Sequence, residues 1–267
     1  MWDTIILNPM INALLLIYDL LWNNFGLAII VFTIIIRLIT LPLTMQQTRS
    51  QQKMQQLQGS KKWQDMQKKY KDDKQKLQQE QLSLYKEIGF NPLSGCLPLL
   101  IQFPIIIGLY QAITRTLAAT PVQLLDLSKH FYPFIPGLAS LIPLHNRFLW
   151  IPDLGAPERL FLPFLPAFGI PVLTILVFIT TWLSTKLTTP VTTGDSQSAS
   201  MGKMMSWYMP ILLAWFSYSF AAGLAIYFVV SNVLQIAQSA AMGKVNWRNV
   251  FSFGSASKPL AKTPAKK

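Results

Sequence analysis

The chain has very few of the side chains on which catalytic and metal sites usually depend. Its 267 residues include one cysteine and two histidines. Cys96 has no partner for an internal disulfide, and one thiol provides neither a metal cluster nor a redox pair. His130 and His145 lie far apart in a connecting region, which is typical of loop or interfacial histidines rather than of a metal site. We therefore expect no metal and no cofactor.

Motifs of the common enzyme classes are also missing. The sequence has no Ser/His/Asp set, no glycine-rich phosphate loop and no HExxH zinc motif. The apolar segments assigned below to membrane spans contain no Asp or Glu, so they lack the paired carboxylates that proton transfer inside a membrane uses. These absences predict that the protein is not an enzyme.

Charge is scarce as well, since 13% of the residues are charged and 51% are hydrophobic. The apolar residues form long blocks separated by polar ones, a pattern typical of a chain surrounded by lipid. Residues 26–44, for example, are apolar apart from one arginine and three threonines. As a helix they would be about 28 Å long, close to a hydrocarbon core of roughly 30 Å. The sequence predicts an all-α, polytopic membrane protein.

Five transmembrane helices are predicted to form a bundle. They cover residues 21–44, 96–115, 160–185, 204–220 and 223–242. The last two are separate because residues 205–242 are too long for one span, and Ala221, Ala222 and Gly223 favour a tight turn. The connecting segments are a helical hairpin at 45–95, loops at 116–159 and 186–203, and a basic disordered tail at 243–267.

Residues 1–20 are predicted to form an amphipathic helix that lies at the membrane interface. They have no basic segment and carry Asp3 and Asp19, which argues against a cleaved signal peptide. The alternative is a first spanning segment, but Pro9 and Asp19 leave only a short uninterrupted apolar run.

The positive charges are unevenly distributed. Of 23 lysine and arginine residues, 18 fall in the hairpin, the loop at 186–203 and the tail. By the positive-inside rule these segments are cytoplasmic and the N-terminus is outside. We expect a multi-pass protein of the bacterial plasma membrane, since the sequence has no transit peptide. The basic tail should be attracted to polyanions, with ribosomal RNA and anionic lipid as candidates between which its charge alone does not choose. The hairpin fits either acidic lipid headgroups or a protein or RNA partner.

One charge lies inside a predicted span. Arg37 is part of the apolar run at residues 26–44, and burying a cation near the centre of a span costs roughly 2.5 to 3.5 kcal/mol. A guanidinium cannot lose its proton, and no predicted span offers an Asp or Glu to pair with it. The expected partner is water or a visiting anionic group.

Polar residues of three spans are predicted to share a hydrophilic groove with this arginine. The candidate groove residues are Arg37, Thr33, Thr40, Gln102, Gln111, Tyr227, Ser231, Asn232 and Gln235. Most of those in the first and last spans recur at steps of three or four, on one face of each helix. Gln102 and Gln111 lie on opposite faces of an ideal helix, so only one faces the groove unless Pro104 rotates the segment. A single polar residue more often joins two helices, but the set with an unpaired arginine indicates a groove.

Three stretches carry a family resemblance. They are GLAIIVFTIIIRLITLPLT at residues 26–44, LYKEIGFNPLSGCLPLLIQFPIIIGLY at 84–110 and GLAIYFVVSNVLQIAQ at 223–238. In this order they resemble the YidC family of membrane protein insertases, relatives of the mitochondrial Oxa and chloroplast Albino proteins. The resemblance covers nearly all of residues 20–243, without the large external domain of the Gram-negative members. Phe228 stands where many relatives have an aromatic residue with a hydroxyl or an indole.

The resemblance implies a helical bundle around a groove that is open to the cytoplasm and to lipid and closed toward the outside, with Arg37 facing into it. The hydrophilic, often acidic, end of a newly made membrane protein would enter the groove, attracted by Arg37, while its apolar segment moved into lipid. The implied partners are nascent membrane protein clients, the ribosome, the signal recognition particle receptor and the Sec translocon.

Two other functions remain open from the residues alone. An anion transporter or channel would use a basic site such as Arg37, although the sequence shows neither the internal repeats of many transporters nor the intramembrane acids of ion-coupled transport. A structural assembly factor would hold membrane subunits together without inserting them.

Overall fold

The computed structural model describes residues 1–70, 73–87, 89, 97–117, 120–133, 135, 137–141, 143–162, 165–188 and 197–242. The basic tail, residue 96 of the second predicted span and the middle of the loop at 186–203 lie outside these residues. The described chain is mostly helical, which confirms the all-α class. Its α-helices are α1 (Asn8–Leu20), α2 (Phe25–Gln58), α3 (Lys61–Lys69), α4 (Lys74–Glu87), α5 (Leu97–Thr116), α6 (Pro121–Ser128), α7 (Val172–Thr188), α8 (Gln197–Ser219) and α9 (Ala222–Ala241). A π-helical segment, Asp3–Leu7, precedes α1, and two antiparallel strands, β1 (Leu160–Leu162) and β2 (Leu165–Ile170), precede α7.

The helix of the third predicted span begins later in the structure than its sequence predicts. Residues 160–170 contain β1 and β2, and α7 begins at Val172. The prolines at 163, 166 and 171 explain the difference. Each removes a backbone donor and disfavours helical geometry in the residue before it, so the helix forms only after the last of them. The helical prediction for this segment is therefore wrong.

Three helical segments in the described part of the chain are long and apolar enough to cross a membrane: Asp3–Leu20, Phe25–Ser50 and Ala222–Ala241. Val172–Leu187 is a shorter apolar helix. The N-terminal helix therefore satisfies the length and composition of a span, and its interfacial placement stays a prediction, as do the five spans. It packs against α2 and α5 through side chains that are no more than 1% exposed: Leu7, Ile11, Leu14, Leu15 and Tyr18.

Helix α9 lies at the centre of the bundle. It contacts α2, α5 and α7, and all of residues 222–228 are buried. α8, which packs mainly on α7, ends at Ser219, and α9 begins at Ala222. The chain thus turns next to the small residues that favoured a break. Gly223 allows close packing, because a Cβ atom there would lie 2.9 Å from Cδ1 of Ile29.

The buried core is concentrated at one end of the bundle. On α2, buried residues occur between Phe25 and Thr33, and the next buried one is Gln47. On α5, the described buried residues lie in the second half of the helix, between Gly108 and Thr116. The bundle is therefore tightly packed where α2 begins and α5 ends, and it is open toward the other end of both helices.

Helix α2 continues well past its apolar stretch, to Gln58, where α3 packs beside its end and α4 packs on α3. This hairpin has a small core of its own, formed by Leu57, Trp63, Met66 and Leu84. Trp63 stacks on Tyr85 with ring centroids 5.9 Å apart, and burial raises the pKa of the Tyr85 hydroxyl. Asp73 accepts a hydrogen bond of 3.1 Å from the Lys76 backbone N–H at the start of α4, which lowers the pKa of the Asp73 carboxyl. The hairpin is a folded unit rather than two loose helices.

Candidate functional site

Predicted groove residues from three helices meet around Tyr227 of α9. This side chain is 2% exposed, and its hydroxyl accepts a hydrogen bond from Nε2 of Gln102 on α5. Ser231, one helical turn further along α9, is buried beside the same hydroxyl, and the guanidinium of Arg37 on α2 lies near it. The structure thus brings Arg37, Gln102, Tyr227 and Ser231 together at the border between the packed and the open end of the bundle.

Arg37 has no charged partner among the described residues. In that part of the chain its guanidinium takes part in no ion pair and no hydrogen bond, and the side chain is half-buried. Leu38 and Ile39 beside it on α2 are 62% and 67% exposed. A fixed positive charge in such apolar surroundings attracts an anion more strongly than the same charge in water does. The arrangement suits a carboxylate that arrives from another molecule.

The threonines on the same face of α2 use their hydroxyl groups within the helix. Thr33 is fully buried, and its hydroxyl donates to the Ile29 carbonyl at 2.6 Å. Thr40 donates to the Ile36 carbonyl at 2.8 Å. Such bonds let a hydroxyl lie in an apolar span without an outside partner, and the oxygen can still accept a second bond. Thr40 is half-buried, so it is the threonine that an incoming group can reach.

Gln111 lies on the opposite face of α5 from Gln102. Its side-chain carbonyl accepts a hydrogen bond of 2.7 Å from Nε1 of Trp2. The spacing accounts for this, because nine residues at 3.6 per turn make two and a half turns. Pro104 does not bring the two glutamines onto one side. Gln102 therefore belongs to the cluster around Tyr227, and Gln111 instead fastens the N-terminal segment to α5, which corrects its place among the groove residues.

The two remaining predicted residues lie further along α9. Asn232 donates from Nδ2 to the hydroxyl oxygens of Thr181 and Thr180 on α7, at 2.8 and 3.2 Å. It therefore joins α9 to α7, the usual role of a lone polar residue between membrane helices. Gln235 is half-buried and makes no side-chain hydrogen bond to any residue that the structure describes. Its amide is free to contact water or a ligand on the open side of the bundle.

One contact beside the site was not expected from the sequence. Gln238 of α9 donates to the hydroxyl of Thr44 on α2 at 3.2 Å, beyond Arg37 in the direction of the hairpin. Thr44 and Gln238 continue the polar faces of the first and last spans, so the spacing of polar residues in the sequence already indicated both positions. Only the structure shows that the two faces meet there.

Known proteins resemble this chain over most of its length. The family model described as 60Kd inner membrane protein matches residues 16–248. The chain is 37% identical over 242 residues to the membrane protein insertase MisCA of Bacillus subtilis, covering 89% of this chain and 77% of MisCA. It is 36% identical over 249 residues to the membrane protein insertase YidC of Clostridium perfringens, covering 88% of this chain and 90% of that protein.

Longer relatives and a solved structure match as well. The YidC insertase of Chlorobaculum tepidum is 35% identical over 224 residues, which are 82% of this chain and 33% of that protein. A crystal structure described as an active YidC insertase with the first transmembrane domain resolved has a TM-score of 0.52 and 28% identity, over 83% of this chain and 44% of that one. The helical fold and the long apolar helices show that this chain is a helical membrane protein. More particularly, the chain belongs to the 60Kd inner membrane protein family, the YidC family of membrane protein insertases.

Proposed function

We propose that the protein inserts newly made membrane proteins into the lipid bilayer and assists their folding, using the groove around Arg37. The unpaired guanidinium carries this proposal, because no described residue forms an ion pair with it, and its polar neighbours Tyr227, Gln102 and Ser231 are uncharged. The relatives, which are named membrane protein insertases, support the same function.

Arg37 attracts a client's carboxylate with moderate strength. At a separation of about 4 Å and an effective dielectric constant near 20, two opposite charges attract by about 4 kcal/mol. This energy is similar to the roughly 2.5 to 3.5 kcal/mol that an unpaired cation costs near the middle of a membrane. The acidic end of the client therefore offsets the cost of the buried charge, and water replaces it when the client leaves. Such an interaction recruits the client without trapping it.

The uneven packing of the bundle gives the client a direction. The core closes the end where α2 begins, whereas apolar side chains are exposed on α2 beyond Thr33 and on α5 at Leu100, Phe103 and Ile107. We place the open end toward the cytoplasm and the N-terminus outside, because α2 continues from the open end into the lysine-rich hairpin. The client's apolar segment then moves along these exposed faces into lipid, and the burial of about 20 apolar residues drives the step. No nucleotide and no covalent step is needed.

The partners that we propose for this protein are inferred from its basic surfaces and from its family. The hairpin helices α3 and α4 carry exposed lysines, one of which, Lys62, pairs with Glu87. The tail adds further basic residues at positions 243–267. Anionic lipids of the plasma membrane and the ribosome are the partners that such charge would attract. The signal recognition particle receptor and the Sec translocon are the protein partners that the family resemblance implies.

Purified protein in proteoliposomes tests this function. The client is a single-span protein with a short acidic N-terminal tail, and insertion is measured as protection of the tail from added protease. We expect protected tails in vesicles that contain the protein and few in empty vesicles. Equal protection in the two sets contradicts the proposal. Flux of labelled small anions through the vesicles would support a transporter instead, and association of pre-inserted subunits without new insertion would support an assembly factor.

A further inference from the structure

Residues 145–159, which we name the cap, are fastened to the packed end of the bundle. The backbone N–H of His145 donates to the Tyr18 hydroxyl at 2.9 Å. The ring of Phe148 rests on the start of α2, so closely that a Cβ atom at Gly26 would lie 2.1 Å from Cγ of Phe148. The cap therefore packs directly on the junction between α1 and α2.

The cap also provides the hydrogen bonds for the start of α9. The carbonyl oxygens of Ala156 and Leu154 accept the backbone N–H groups of Ala222 and Gly223, at 2.8 and 2.9 Å. The first N–H groups of a helix have no partner within the helix, so the cap satisfies donors that would otherwise need water. Leu154 is 0% exposed and belongs to the main core. Dry packing thus extends from the core into the cap.

Glu158 connects the cap to α7. Glu158 is 7% exposed. Its Oε1 accepts a hydrogen bond of 3.1 Å from Nε1 of Trp150, and its Oε2 accepts one of 3.0 Å from the Leu173 backbone N–H. A carboxylate that lies beside the first turn of a helix satisfies a free N–H and interacts favourably with the helix dipole. The next residue, Arg159, lies over the ring of Tyr218 on α8, 5.4 Å from its centroid.

We propose that the cap is the permeability seal of the groove and that Glu158 is the positioning residue that holds this seal shut. The cap lies close to the polar cluster, because Gly223, which is bonded to the cap, precedes Tyr227 by four residues, about 6 Å of helix. A groove that admits a polar client tail conducts ions unless its far end is closed, so this inference rests on the proposed function. The bond from Leu173 ties the cap to α7, and the bond from Trp150 holds the Glu158 carboxylate in the position that this tie requires. Loss of either bond therefore loosens the attachment of the cap to α7 and allows the cap to open.

Glu158→Gln tests this role with the smallest change in shape. Glutamine has the same length, but its NH2 group replaces one acceptor oxygen, so a donor faces the donor of either Trp150 or Leu173. Leaving a buried donor without a partner is sufficient to make opening about tenfold more frequent. Asp153→Asn is the matched control, because Asp153 belongs to the same cap and its carboxylate accepts a bond of 2.8 Å from Gly155 within the cap.

The measurement is proton leak in proteoliposomes that contain a pH-sensitive dye and no client, after a potassium diffusion potential is applied. Hydrogen–deuterium exchange of the cap and of the first turn of α9 is followed on the same proteins. For Glu158→Gln we expect about tenfold faster leak and faster exchange confined to these segments. For Asp153→Asn we expect wild-type leak and exchange.

Unchanged leak in a folded Glu158→Gln protein, or equal leak in the two variants, overturns the inference. If Glu158→Gln exchanges rapidly throughout the bundle, Trp150→Phe decides, because it removes one donor and keeps the bond to Leu173. A smaller rise in leak with otherwise native exchange then supports the seal, and unchanged leak overturns it. Client insertion by the wild type is scored separately: its absence contradicts the proposed function, whereas normal insertion with no leak difference contradicts the seal alone.

Discussion

Insertion of a client with an acidic tail is expected to fall at least about tenfold when Arg37 is replaced with alanine. An attraction of about 4 kcal/mol is at stake, and losing about 1.4 kcal/mol already lowers a rate tenfold. The fold should survive, because the guanidinium makes no ion pair or hydrogen bond to any described residue and removing a charge from an apolar span is favourable. Protease protection in proteoliposomes measures insertion, and a thermal melt of the same protein checks the fold.

Arg37→Lys is expected to keep most of this activity. The proposal requires positive charge at one position, which an ammonium supplies without the bidentate geometry of a guanidinium. Arg49→Ala is the matched control, because Arg49 lies on the same helix outside the apolar stretch and is exposed. It should insert the client as the wild type does. Wild-type insertion by Arg37→Ala, or an equal defect in Arg49→Ala, would show that Arg37 has no special role.

Gly26→Ala is expected to lower the thermal stability of the protein by several degrees. The added Cβ atom would lie 2.1, 2.2 and 2.8 Å from three side-chain atoms of Phe148, so the ring and the cap around it must move. Overpacking of this kind costs about 1 to 3 kcal/mol. The higher helix propensity of alanine offsets at most about 1 kcal/mol, so the net effect is destabilising. A thermal melt in detergent measures the change, and hydrogen–deuterium exchange should show a loosened cap.

A second substitution, Phe148→Ala, identifies the cause of that loss. It removes Cγ and Cδ2 of Phe148, the two atoms closest to the added Cβ at Gly26. The changes in the free energy of unfolding caused by the two substitutions should therefore be non-additive by about 0.5 to 3 kcal/mol. Strictly additive losses would mean that the ring does not rest on Gly26, and the packing described for the cap would then be incorrect.

The helices that carry the site could be predicted because their signals are local. An arginine inside an apolar run of membrane length identifies both a helix and an unpaired charge. The turn before α9 follows from a length limit and from three small residues, Ala221, Ala222 and Gly223. The start of α7 at Val172 is not predicted, because the apolar composition of the preceding residues favours a span that begins at residue 160.

The contacts between helices could not be predicted in the same way. Periodicity gives the polar face of a helix but not the neighbour that this face meets. Gln111 and Asn232 are polar residues within apolar helices, as Gln102 and Ser231 are. In the structure, however, Gln111 binds Trp2 and Asn232 binds threonines of α7. Glu158 lies in a loop whose sequence has no recognisable motif. Its proposed role in holding the cap follows only from the two hydrogen bonds that its carboxylate accepts in the structure.

Reversing the sign of the charge at position 37 and in the client tail tests the central claim most directly. Insertion is measured at about pH 9.5, above the roughly 8 to 9 that the pKa of a buried glutamate can reach, for the wild type and for Arg37→Glu. Two clients are used that differ only in an acidic or a basic tail. The proposed role of Arg37 predicts that the wild type prefers the acidic tail and that Arg37→Glu prefers the basic one. If both proteins prefer the acidic tail, or if a folded Arg37→Glu protein inserts neither client, the claim that Arg37 recruits the tail by its charge is contradicted.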